Sequence, residues 1–101
     1  MSSELNERAV KAQQILNDKT IPPWKRLHES LSVYSGLNLT ALSKKMRSRV
    51  EAAFLKVYRI ISKYDIKEID DYKNMSEHDL LDAVDYISNL SGYILRDVHG
   101  A

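Results

Sequence analysis

The chain has no cysteine, only three glycines and only two prolines among 101 residues. Without cysteine there is no disulfide framework, no thiolate ligand for zinc and no thiol nucleophile. Three scattered glycines cannot build the backbone cradle of a phosphate loop. No apolar run approaches the roughly 18 residues of a membrane span, so no membrane partner is expected. The stretch Met1-Ser2-Ser3-Glu4-Leu5-Asn6-Glu7 carries neither a basic start nor an apolar core and does not read as a secretory signal. The expected compartment is the cytoplasm.

What is present is a globular composition, 44% apolar and 29% charged. Leu, Ile, Ala, Lys, Arg and Glu favour helix, and breakers are rare enough to leave long helices intact. The expected fold class is all-α: one small four-helix bundle-like domain over 1–101, mostly antiparallel and completed by dimerisation. The helices are expected at about 3–18, 23–35, 39–64 and 77–98.

Each helix rests on a pattern. The first has Ser3 as cap and the seam Leu5, Ala9, Ala12, Leu16, whose alanines allow close approach. Thr20-Ile21-Pro22-Pro23 breaks the chain, and Pro23 opens the second helix, where its missing amide costs nothing. That helix presents Trp24, Leu27, Leu31 and Tyr34, and Gly36 suits a left-handed cap. The third is expected to start near Asn38 or Thr40 and to be buried nearly all round between Ala52 and Ile61, making it the hub of the bundle or half of a dimer interface. Ser76, with Asp79 three residues on, reads as a capping box under a Met75–Leu80 staple. The fourth helix then carries the seam Leu80, Val84, Ile87, Ser91, Ile94, Val98, with Ser91-Gly92 marking a close crossing or a bend.

Charge is sorted along the chain. Thr40 to Tyr64 holds seven basic residues against Glu51, whereas Asp65 to Ala101 holds nine acids against Lys67, Lys73 and Arg96. Internal pairing of the third helix with the fourth would explain this sorting. So would two contact strips for a partner: Lys44, Lys45, Arg47 and Arg49 on one side, Tyr86, Tyr93, Asp82 and Asp85 on the other. The apolar excess of the third helix nominates Phe54, Val57, Tyr58 and Ile61 as an oligomer interface.

Chemistry-bearing constellations are weak. His78 and Asp82 sit one helical turn apart, but zinc needs three or four ligands. The series Asp79, Asp82, Asp85 drifts around its helix instead of converging on one ion. No serine lies in a nucleophile elbow. The expectation is therefore no catalytic residue, no metal and no cofactor. The leading functional expectation is a non-enzymatic protein-binding module, a homo-oligomeric regulatory or inhibitory protein. The alternative is a nucleic-acid-binding regulator that uses the basic start of the third helix.

Overall fold

The computed structural model describes the backbone of residues 4–100 and the side chains of residues 4–97. The expected Ser3 cap and the side chains of Val98 and His99 lie outside the described residues. Four helices follow in order: α1 (Glu4–Leu16), α2 (Pro23–Val33), α3 (Lys44–Ile61) and α4 (Glu77–Gly100). Short 3₁₀ turns at Leu39–Ala41 and Ile69–Asn74 fill two of the connections, and no strand occurs among the described residues. The fold is all-α, as the periodicities imply.

Most of the local signals act as their chemistry predicts. Pro23 sits in the first turn of α2, and Gly36 takes φ +69° just beyond its end, a value other residues reach only with strain. Leu5, Ala9, Ala12 and Leu16 are all buried, and the two alanines are fully so, which lets α1 lie close on α2 and α4. Arg8 donates to the Ser35 and Val33 carbonyls and so satisfies acceptors left free at the end of α2. Arg26 does the same for Leu16 and Ile21 on the other side of the turn. These two arginines fix α1 and α2 as an antiparallel pair.

Several expected bounds need correction: α1 ends at Leu16 and α2 at Val33, each two residues before the expected end. The third helix starts at Lys44 instead of about 39, and ends at Ile61 instead of 64. Asn38 does cap, accepting from the Thr40 amide at 3.0 Å, but it caps only a single 3₁₀ turn. Leu42 is then extended so that its side chain enters the core at 3% exposure, which forces a second start. Ser43 is the true cap, accepting from the Met46 amide at 3.3 Å. The fourth helix runs through Gly100, two residues past the expected end.

The hub is also a different helix. α4 packs against α1, α2 and α3, while α3 packs chiefly on α4. Ala83, Ile87, Leu90, Ser91 and Ile94 on α4 are all fully buried. On α3 the buried stripe is narrow, Val50, Ala53 and Val57, and Leu55 and Tyr58 are about half exposed at 51% and 55%. The apolar run of α3 is therefore split between core and surface. Ser91 resolves its own ambiguity. Its hydroxyl donates to the Ile87 carbonyl at 2.9 Å and shares a short bond with the buried Tyr34 hydroxyl, so the small residue admits α2 to α4.

Candidate interaction surfaces

α3 and α4 lie antiparallel and are tied at both ends by carboxylates. At one end Asp97 accepts from the Ser43 amide at 3.0 Å and from its hydroxyl at 2.8 Å. This also places negative charge at the start of α3, whose first turn holds the exposed Lys44 and Lys45 and no acid. Cations there oppose the helix dipole, an arrangement that costs a few tenths of a kcal/mol to about 1 kcal/mol.

At the other end the capping box is replaced by a relay. The Ser76 hydroxyl accepts from the Asp79 amide, as a cap should. The Asp79 carboxylate does not return the bond, because it accepts from the Tyr64 hydroxyl at 2.6 Å and pairs with Lys63. The same Tyr64 oxygen takes the Ser76 amide at 3.1 Å. The Tyr64 bond, helped by Lys63, holds the Asp79 carboxyl below the ordinary carboxylate range.

Between those ties the seam is held by cations over rings. Lys56 Nζ lies 5.3 Å from the Tyr86 ring centre, and the Arg49 and Arg96 guanidinium groups lie 5.9 and 5.4 Å from that of Tyr93. Arg49, Lys56 and the two tyrosines, with Ala52, Ala53 and Asn89, border a shallow hollow of about 250 Å³. Arg49 and Tyr93, assigned from sequence to two separate strips, thus belong to one surface. Of the two aspartates, only Asp82 lies on the stripe of the tyrosines, one turn before Tyr86. Asp82 contacts His78 at 3.2 Å, and Asp85 is exposed and about 100° further round α4 from Tyr86. Arg47 is half-buried, with Nη2 donating to the Leu42 carbonyl and Nε buried without a hydrogen-bond partner. It anchors the start of α3 more than it offers a contact.

The opposite flank of α3 is apolar. The connection that leaves α2, from Tyr34 to Leu39, runs beside α3 and leaves a groove against it. Its floor is Tyr34, the C-terminal cap of α2, edge-on to Phe54 of α3 with centres 5.5 Å apart. Burial pushes the Tyr34 phenol up to about 12, and its bond to Ser91 only partly offsets that shift. Leu37, Leu39, Leu55 and Tyr58 complete a hollow of about 440 Å³, with Glu51 at its edge. Tyr58 also borders a second hollow that runs on past Ile61 to His28 and Tyr72, which stack edge-on at 5.3 Å.

Of the four residues nominated for self-contact, Tyr58 is exposed and Phe54 and Ile61 are half-buried in this groove. Val57 is fully buried inside the chain and is withdrawn: its position in the α3 seam turns it toward α4. Leu55, Leu37 and Leu39 were missed. Only Leu55 carried a signal, as a leucine out of phase with the Val50, Ala53, Val57 seam.

Among the described residues no three His, Cys, Asp or Glu side chains come together as a metal site would require. No helix among them is long and apolar enough to cross a membrane. No protein-family model, curated protein or solved structure matches the chain.

Proposed function

We propose that this chain is a non-catalytic protein-binding module, regulatory or inhibitory in kind, acting in the cytoplasm through the outer face of α3 and the groove beside it. The observation that carries this reading is the half exposure of Leu55 and Tyr58 next to an aromatic-floored hollow. Apolar side chains that border a concave surface gain free energy when a partner covers them, by roughly 25 cal/mol per Å² removed from water. Tyr58 adds the large, stiff ring typical of contact surfaces.

The test uses a photoreactive amino acid placed at Leu55 or Tyr58 in the cells that make the protein, with Val10 and Leu81 as controls. Those two are exposed to a similar degree, at 41% and 46%, but lie on α1 and α4. A discrete protein adduct is expected from positions 55 and 58 alone. The captured protein, once purified, should bind the wild-type chain and not Tyr58→Asp. Equal adducts from all four positions, or none, would contradict the proposal.

A second reading, nucleic-acid binding, is favoured by the exposed Lys44 and Lys45, held against the helix dipole, and by the Arg49–Tyr93 and Lys56–Tyr86 stacks beside them. Basic side chains interleaved with aromatic rings can hold phosphates and bases together. Its signature is an affinity that falls steeply with salt and loses slope in Lys44→Glu/Lys45→Glu. Binding with no salt dependence would end it.

A further inference from the structure

The outer face of α3 is arranged symmetrically about Leu55. Glu51 and Arg59 stand four residues to either side, and Ser48 and Ser62 seven to either side. All five are exposed. Residues four and seven apart fall on one helix stripe, so this is one continuous surface reaching from small residue to small residue. Glu51 is the only acid in α3. Neither it nor Arg59 has an ion-pair partner among the described residues.

An antiparallel copy of the same helix reverses this order. Laid across α3 with its own Leu55 at the crossing, it brings its Arg59 to Glu51 and its Glu51 to Arg59. Serines opposite each other at both ends let the backbones approach. Of the other basic residues, Arg49 and Lys56 lie over the Tyr93 and Tyr86 rings on the α4 flank, and Lys44 and Lys45 precede the Ser48–Ser62 stretch. Arg47 is turned inward to the Leu42 carbonyl, and Lys63 is engaged by Asp79 on the far flank.

We propose that the occupant of the α3 face is a second copy of this chain, docked antiparallel about a two-fold axis through Leu55 and held by two Glu51–Arg59 pairs between copies. The proposal rests on the reading of this face as a protein-binding surface and names its partner. A two-fold contact is self-complementary by necessity, and this stripe has that property in apolar, charged and small positions together. One helix pair covers less than the roughly 800 Å² per partner of a standard interface. The dimer is therefore expected to be weak and reversible, with a dissociation constant in the micromolar range.

The chain should show a monomer–dimer equilibrium in sedimentation between about 1 µM and about 1 mM. Glu51→Arg and Arg59→Glu should each weaken it at least about tenfold, since each places like charges together across the axis. The decisive step is to mix the two variants. One then carries only cations at these sites and the other only anions, so a heterodimer should form where neither homodimer does. The double variant E51R/R59E should recover self-association.

The absence of native cysteine allows a second readout. Leu55→Cys should oxidise to a disulfide-linked dimer much faster than Leu81→Cys. Several outcomes would overturn the proposal: a wild-type chain that stays monomeric to about 1 mM, mixed variants that do not associate, or equal oxidation at both positions. If self-association fails while the photoreactive position 55 still captures another protein, the second copy is wrong and the binding face stands. If both fail, the face has no protein partner.

Discussion

α3 and α4 are similar amphipathic helices that the fold uses in opposite ways. α4 is covered by three neighbours, and its centre from Ala83 to Ile94 contributes five fully buried residues. α3 leans chiefly on α4, buries a stripe only three residues deep and leaves Leu55 and Tyr58 in the open. Apolar content alone does not decide which helix becomes the core. What decides it is how many neighbours the connections deliver, and the short α1–α2 pair is delivered to α4. The two flanks of α3 then part company. One satisfies its cations over Tyr86 and Tyr93, while the other borders the Tyr34–Leu39 connection and leaves Leu55 and Tyr58 half exposed.

Truncation at the centre of α4 should break this contrast most severely. Ile87→Ala removes a fully buried side chain with no exposed surface through which the site could relax, and should cost about 2–5 kcal/mol in denaturant unfolding. The next effect is a pH limb. The Tyr34 phenol titrates near 10 in an unfolded chain and at about 12 in the fold. The fold therefore keeps a proton that the unfolded chain has lost. That contribution is complete below pH 10, and roughly 2–3 kcal/mol should be lost as pH rises from 10 to 12. Tyr34→Phe should remove most of that limb, leaving the part due to Tyr72, whose phenol burial also raises, and a slope unchanged in the variant would assign the limb to another group.

Ser43→Ala tests the tie between the two helices. It deletes both the α3 cap and one bond to Asp97, and about 1–2 kcal/mol should be lost in thermal unfolding. Smaller still is Lys56→Ala, which strips the cation from the Tyr86 ring. Such an exposed pair contributes about 0.5–1 kcal/mol, so a larger loss would mean that the lysine stem also packs.

Much of the fold was legible because its signals are local. The 4, 3, 4 seam of α1 and the prolines before α2 each report on a few adjacent residues, and each is realised. The site was harder to read because it is tertiary. Nothing near Tyr93 in the chain reports Arg49, which reaches it only because Asp97 and Asp79 set the register of the helix pair. Asp79 carried a valid capping signal, but Tyr64, fifteen residues earlier, competes for its carboxylate. Leu55 and Val57 belong to one apolar run, and only the phase of the Val50, Ala53, Val57 seam separates them. Two residues are about 200° round a helix, and that rotation puts one in solvent and the other in the core.

The claim on which the functional account depends is that the α3 face is open in the monomer and free for a partner. Equilibrium unfolding of Leu55→Ser, measured at high dilution beside the wild-type chain, tests it directly. An open face predicts a change within about 0.5 kcal/mol, as for ordinary surface positions. A loss of 2 kcal/mol or more, on the order of a core truncation, would show that the chain covers Leu55 itself and leaves no face to bind.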